Sequence, residues 1–348
     1  MACPCISVIT TIQRPTPSVI QLVEKLTEVG GKLIVAGDKK GPDSFGHDSM
    51  NWPVTFLDLA RQLESPFPLG KKLPVGHYAR KNMAYLEAIA AGAESIYETD
   101  DDNAPNANWE LRTESLQAGT RIVQGEPGQW VNVYQYFSEQ LIWPRGLPLG
   151  EIRKPVPTTL VSQGVLRAPV QQGLVNGSPD VDAVWRLVLD QPFEFENATS
   201  VALPAFTWCP FNTQSTWWWP SAYPLLYVPS YCSFRMCDIW KSFVAQRCLW
   251  AMDTCLVFHA AEVVQDRNVH DLQRDFEDEI PGYRDNRRIV QMLEAVDLES
   301  GEQAVAGNLR KCYSALVEKQ IFPRTELELV DSWLQSVDAA TEYCSHLA

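Results

Sequence analysis

Residues 77–103 read HYARKNMAYLEAIAAGAESIYETDDDN. The first part of this run, HYARKNMAYLEAIAAGA, is rich in small and apolar residues and reads as a helix ending near Gly92. Gly92 closes it, because glycine takes the positive φ that a helix C-terminus favours. Ser95-Ile96-Tyr97 then reads as a short buried strand. The strand runs directly into Glu98-Thr99-Asp100-Asp101-Asp102-Asn103.

Working outward toward the N-terminus, Ile6 to Ile12 is an apolar stretch with a β-branched bias and reads as a strand. A turn over QRPTPS leads into a helix with Val19, Leu22, Val23, Leu26 and Val29 on one face. Ser18 is the expected N-cap with Gln21 three residues on, and Gly30-Gly31 ends the helix. KLIVAGDKK at 32–40 is a second buried strand that runs out at Gly37-Asp38, and residues 52–60 give a further strand and turn. The order β-α-β-loop-α-β implies a Rossmann-like, mostly parallel sheet with helices on both faces. Ligands of such sheets collect beyond the carboxyl ends of the strands. Three successive strand ends carry polar signals: Thr10-Thr11 with Arg14, Asp38-Lys39-Lys40, and the acid run at 98–103.

Residues 104–235 lack helical periodicity and are dense in Pro, Gly and aromatics. Helical patterning returns from 236 through Trp250, breaks over 253–285 and resumes at 302–319 and 325–343. The expected organisation is an α/β domain over 1–298, its nucleotide-binding part about 1–105 and its acceptor-side part about 106–298. A C-terminal helical appendix over 299–348 follows.

The chain has 348 residues with 43 acidic against 29 basic, a formal charge of −14. That balance argues against a nucleic-acid groove, which needs a basic stripe. No window approaches 18 consecutive apolar residues, and MACPCISVITTI lacks a basic segment ahead of its apolar run. Neither a bilayer span nor a secretory signal is expected. Nine Cys without metal-ligand spacing read as free thiols of a reducing compartment, and Asn197-Ala-Thr199 fits a glycosylation sequon. The localisation expected on these grounds is cytoplasmic.

Three successive carboxylates at the end of an apolar strand repel one another unless a cation sits among them. Hard divalent ions take carboxylate oxygens and keep room for phosphate oxygens. The run at 100–102 is therefore read as a metal–diphosphate site, with a solvated acidic turn as the alternative. Asp100 and Asp102 are the expected ligands, because alternate residues of an extended chain point the same way. Arg80, Lys81 and Asn82 form the most basic stretch nearby and suit a diphosphate, or else a solvated helical turn. Asp38 suits a uracil ring N–H or an ordinary turn.

Pro179-Asp180-Val181-Asp182 is a second acid set and Asp238, within RMCDIWKSFVAQRCLW, a third. Asp238 fits either the favourable acidic position of a helix N-terminus or a general base for an acceptor hydroxyl. WCPFNTQSTWWWPSAY at 208–223 places Trp217, Trp218 and Trp219 in succession. At least one is expected at a surface or pocket wall, where its face suits sugar C–H groups, with core packing or a protein interface as the alternatives. His259, and Arg267 and His270 in RNVHD, are candidates for a diphosphate or metal contact, with a structural role as the alternative for each.

Taken in order, VITTIQRPTPSV, IVAGDKKGP, residues 77–103, WPRGLPL at 143–149, QQGLVNGSPDVDAVWRL and DIWKSFVAQRCLW resemble the STELLO-type glycosyltransferases, of GT-A-like fold. A more distant likeness is to the reversibly glycosylated polypeptides, which include UDP-arabinopyranose mutases and share a triple-Asp motif. The resemblance implies a nucleotide-sugar donor, most naturally a UDP-sugar, a glycan or other hydroxyl acceptor, and Mn²⁺ or Mg²⁺. Thr10, Thr11, Arg14 and Asp38 would cradle the nucleoside, and Arg80 and Asn82 its ribose or diphosphate. Asp100, Asp101 and Asp102 would form the DXD-type acid motif. Asp238 is the first choice of general base and Asp182 the second, with Trp217, Trp218 and Asp180 on the acceptor side.

Plant STELLO proteins carry an N-terminal membrane anchor, so a Golgi lumen location is expected only if such an anchor has been removed. Their acid motif begins with Asp where this chain has Glu98. The alternatives are a sugar-nucleotide mutase and a non-catalytic scaffold of the same fold. The apolar, Trp-rich middle leaves a homo-oligomeric interface open.

Overall fold

The computed structural model describes residues 4–45, 52–267 and 271–347. The first strand, β1 (Ile6–Thr10), leads into α1 (Pro17–Glu28) and then β2 (Lys32–Ala36) and β3 (Val54–Leu57). After the short α2 (Leu59–Glu64) come α3 (Lys81–Ala90), β4 (Ile96–Thr99) and β5 (Asn103–Pro105). The middle of the chain supplies β6 (Arg121–Val123), β7 (Thr159–Val161), β8 (Val170–Gly177), α4 (Ala183–Val188), β9 (Val201–Leu203) and β10 (Ser215–Trp218). Then follow α5 (Cys237–Ala251), β11 (Leu256–Gln265), α6 (Leu272–Glu294), α7 (Val305–Glu318) and α8 (Arg324–Leu347).

Among the described residues these strands form one eleven-stranded sheet in the order β3-β2-β1-β4-β10-β8-β11-β9-β6-β7, with β5 paired to β11. Strands β1 to β4 are mutually parallel. β10 runs antiparallel to both β4 and β8, and β8 is parallel to β11. The carboxyl ends of β1–β4, β8 and β11 therefore share one edge. This is the GT-A-like α/β class expected from the sequence.

Strand periodicity sends alternate residues to two different cores. Ile6 and Val8 join Met83, Leu86 and Ala90 of α3 on one face. Cys5 and Ile9 join Val19, Leu22, Val23 and Leu26 of α1 on the other. The α1 N-cap is Thr16 rather than Ser18: its Oγ1 accepts from Val19 N at 3.2 Å, which leaves Pro17 at the first helical position. Proline suits that place because it lacks only an N–H that the helix leaves unbonded. Gly30 takes φ +70° just beyond the helix end, as expected.

The stretch 253–285, expected to break helical patterning, holds β11 and the first half of α6. That helix runs through Pro281 and is capped by the Asp271 carboxylate, which accepts from Gln273 N and Arg274 N. The C-terminal helices pack into the same core as α3. Trp333 is fully buried and donates from Nε1 to Pro224 O at 2.8 Å. Buried Glu326 at the start of α8 accepts from Ser230 N, Tyr231 N and the Tyr227 hydroxyl. No helix of the described residues is long and apolar enough to cross a membrane. Among the described cysteines none is joined in a disulfide.

Candidate active site

A cleft of about 730 Å³ opens at the shared carboxyl edge of the sheet. Thr10 and Thr11 enter it from the end of β1, Asp38 from beyond β2, and Asp100, Asp101 and Asp102 from beyond β4. Pro179, Asp180 and Val181 follow β8, and Gln265 and Arg267 end β11. Tyr78, Arg145, Arg186, Phe234, Arg235 and Asp238 also line the walls. Three of the strand ends singled out by sequence thus converge on one space.

The acid motif does not continue as an extended strand. The chain turns at Asp101 and Asp102, with Asn103 N donating to Asp100 O at 3.4 Å, so all three side chains line the cleft. The expected alternation of Asp100 and Asp102 is corrected by this turn. The Asp100 carboxylate accepts from the Tyr78 hydroxyl at 3.0 Å and from Lys81 Nζ at 3.2 Å. Asp101 accepts from the Thr11 hydroxyl, and Thr16 Oγ1 donates to the Asp101 carbonyl. Asp102 accepts from Gln265 Nε2 at 3.0 Å. Burial, reinforced by the charge of Asp100, pushes Asp102 up to about 7. Burial also raises Asp100 and Asp101.

A divalent cation is bound through one or two carboxylates with phosphate and water completing its shell. Three cleft-facing carboxylates, with Asp100 raising the proton affinity of the other two, fit that demand. Among the described residues no group of three or more His, Cys, Asp or Glu side chains is arranged to hold a metal ion by itself. Phosphate oxygens would have to supply part of the shell.

Opposite lies a second charge assembly. The Arg145 guanidinium bridges two carboxylates, donating from Nε and Nη2 to Asp180 at 2.8 and 2.9 Å and from Nη1 and Nη2 to Asp238 at 2.9 and 2.7 Å. Burial alone would raise Asp238, but the adjacent Arg145 charge and hydrogen bonds outweigh it and hold the carboxyl below its usual range. Asp238 sits in the first turn of α5, where a negative charge also meets the helix dipole favourably.

Beneath the cleft floor the two sides are tied together. Glu98, two residues before Asp100, is fully buried and pairs with Lys241 Nζ at 3.0 Å. Lys241 lies three residues after Asp238 in the same helix. Its ammonium sits 4.6 Å from the ring centre of Trp218, whose Nε1 donates to Glu98 at 2.7 Å.

Several expected site residues lie elsewhere. Arg80 is fully buried and donates to Gly70 O at 2.8 Å; it does not line the cleft, although the charge of cleft-lining Asp38 acts on it. Asn82 exchanges two hydrogen bonds with the backbone of Val228, at 2.8 and 2.9 Å, and serves as an internal clamp. The cation of the ARKN run that reaches the acid motif is Lys81, whose position one residue past Arg80 turns it toward Thr99 O at 2.7 Å. Arg14 lines a neighbouring cavity with Trp52 rather than the main cleft.

Asp182 is fully buried as the N-cap of α4, accepting from Trp185 N at 2.9 Å and Trp143 Nε1 at 2.8 Å. Burial pushes it up to about 7, and it does not line the cleft. Trp217 and Trp218 are fully buried, because β10 is a central strand covered on both faces: Trp217 joins one core and Trp218 the other. Trp219, also buried, joins Trp217. His259 is buried between Ser200 Oγ at 2.7 Å and Gln171 Oε1 at 2.9 Å. His270 lies outside the described residues.

Arg145 is the candidate-site residue that local spacing does not reveal. It lies within WPRGLPL, but its partners are 35 and 93 positions away.

A ligand cleft at the carboxyl edge of a parallel strand set, with an acid run on one side and an Arg-bound carboxylate pair on the other, is the frame of a GT-A-like transferase domain. More particularly, the family model described as STELLO glycosyltransferases matches residues 235–345. Probable glycosyltransferases STELLO2 and STELLO1 of Arabidopsis thaliana are each 30% identical to this chain over 264 residues. That span is 70% of this chain and 33% of each relative, so the chain matches about a third of the length of these proteins. The chain carries a STELLO-type glycosyltransferase domain.

Among solved structures, glucosyl-3-phosphoglycerate synthase of M. tuberculosis is 11% identical at a TM-score of 0.38, covering 82% of this chain and 81% of that one. A mycobacterial protein is 11% identical at a TM-score of 0.39, covering 92% of this chain and 76% of that one.

Proposed function

We propose that the protein is a glycosyltransferase that moves a sugar from a nucleotide-sugar donor, a UDP-sugar, to a hydroxyl acceptor. The observation that carries the reading is the pairing, across one cleft, of the Asp100–Asp102 run with the Arg145-bound Asp238. A bound Mn²⁺ or Mg²⁺ would supply charge neutralisation for a diphosphate, with Asp100 and Asp102 as its protein ligands and Asp101 fixed by Thr11. Thr10, Thr11 and Asp38 at the adjoining strand ends suit the nucleoside. Asp38 already accepts from Gly76 N and His77 N, both at 2.9 Å, which fixes the loop over that end of the cleft.

In the reaction, the bond between the sugar anomeric carbon and the donor phosphate oxygen breaks. The acceptor oxygen bonds to that carbon, and the nucleoside diphosphate departs. The proton of the acceptor hydroxyl must go to a base. Of the two carboxylates singled out for that task, Asp238 lines the cleft and Asp182 does not. Asp238 is kept ionised and aimed by Arg145, and Asp180 steadies the same guanidinium.

Thermal unfolding with UDP, GDP, CDP and their sugars, in Mn²⁺ and in EDTA, tests the donor assignment. A ligand at 100 times its Kd stabilises by about 2.7 kcal/mol. A shift confined to uridine compounds and abolished by EDTA is expected, and no shift with any nucleotide would remove the donor site.

A further inference from the structure

The cleft contains more cationic groups than the transfer just proposed employs. Arg186 of α4 lines it with a side chain only 5% exposed. It donates from Nη2 to Pro179 O, and the carboxylate it pairs with, Asp190, stands 3.7 Å away and is 58% exposed. Arg235 and Arg267 line the same wall, each 14% exposed and held by Glu279 and Asp275 respectively, both at 2.7 Å. The three guanidinium groups feel one another. Burial, and then the charge of Arg267, brings Arg186 down to about 10. Burial and then Arg235 likewise lower Arg267.

Like charges gathered in a partly desolvated wall repel strongly, and an incoming anion relieves the repulsion. Arg145 does not share this surplus, because Asp180 and Asp238 neutralise it.

The position of the wall separates it from the diphosphate end. Arg186 follows β8, and Arg235 lies just before α5 and Asp238, whereas the acid motif follows β4. β10 stands between β4 and β8. Two strand spacings of about 4.8 Å place the wall's strand roughly 10 Å from the acid-motif strand.

We propose that Arg186, Arg235 and Arg267 receive an anionic group, phosphate, sulfate or carboxylate, carried by the acceptor, so that the acceptor is an acidic hydroxyl compound. This rests on the glycosyltransferase reading and narrows its acceptor class. Arg186 is the specificity-determining member, because its own charge is the least neutralised.

The test is calorimetric titration of the full chain with inorganic sulfate at constant ionic strength, first alone and then with UDP and Mg²⁺ saturating. Glucose 6-phosphate and glucose follow as charged and neutral surrogates. Sulfate is expected to bind with UDP in place, and glucose 6-phosphate to bind at least about tenfold more tightly than glucose. Arg186→Gln should weaken both anions about tenfold while changing the UDP Kd less than about twofold. Arg267→Gln, at a less buried position, is the second variant and should act in the same direction. Displacement of UDP by sulfate, or sulfate affinity unchanged in both variants, would overturn the proposal. If UDP itself fails to bind, the donor reading falls, and the titration with sulfate alone still decides whether the arginines form an anion site.

Discussion

Both terminal nitrogens of Arg145 reach the Asp238 carboxylate, Nη1 to Oδ1 at 2.9 Å and Nη2 to Oδ2 at 2.7 Å. The fork-to-fork geometry fixes the carboxylate plane as well as its charge. Asp238→Asn keeps the shape and removes the charge. Turnover should fall about 100-fold or more, the usual share of a general base. The UDP-induced rise in melting temperature should be unchanged, and assays of both quantities on one preparation check this.

Arg145→Met leaves Asp180 and Asp238 buried without their cation. Breaking such a buried pair costs about 3–5 kcal/mol at neutral pH. The wild-type contribution has a defined pH sense. Asp238 is held below its ordinary value when folded, so its stabilisation is present above the unfolded carboxyl pKa of about 3.9 and is lost as the pH falls below that. In Arg145→Met the sense reverses, and acidification from pH 7 toward 4 should narrow the deficit. Urea unfolding of both proteins across that range measures it.

Asp100→Asn should abolish turnover and the metal-dependent part of the UDP thermal shift together, because one substitution removes a proposed ligand and the charge facing Lys81. Full activity in that variant would remove the metal reading.

Trp218→Ala should act on stability. The side chain is fully buried and its Nε1 serves Glu98, so a loss of about 3–5 kcal/mol is expected. The KM for acceptor, measured on the folded fraction, should not move.

His259 is held well below its ordinary value by burial, reinforced by Arg112. The unfolded chain therefore takes up a proton that the fold refuses, and stability falls as the pH drops below about 6.5. His77, lowered by burial, adds to the same trend. His259→Gln should flatten the stability–pH slope between pH 5 and 6.5 without changing the cleft.

The strand order of the first hundred residues was legible because Ile6, Val8, Ile34 and Ile96 stand in short apolar runs closed by polar residues or glycine, whereas α2 (Leu59–Glu64) stands where a turn was expected. The acid motif was legible for the same reason: charge at the end of an apolar strand has few physical excuses. Its turn was not, since nothing in three consecutive aspartates distinguishes an extended chain from a bend. For Trp217 and Trp218 the sequence leaves pocket wall and core both open, because a strand covered on both faces can be recognised only once its neighbours are known. Arg80 and Lys81 show the limit most sharply. Adjacent cations on one helical turn differ by about 100° in direction, and only tertiary packing decides which one meets the acids.

The pairing of Glu98 with Lys241 has a mechanical meaning. It acts as a tie-bar below the floor, joining the strand that presents Asp100 to the helix that presents Asp238. The width between the Asp100 edge and the Asp238 edge of the cleft is therefore braced from beneath by the protein itself. A shortened tie, as in Glu98→Asp, would alter that width from beneath while leaving every cleft-lining side chain chemically intact.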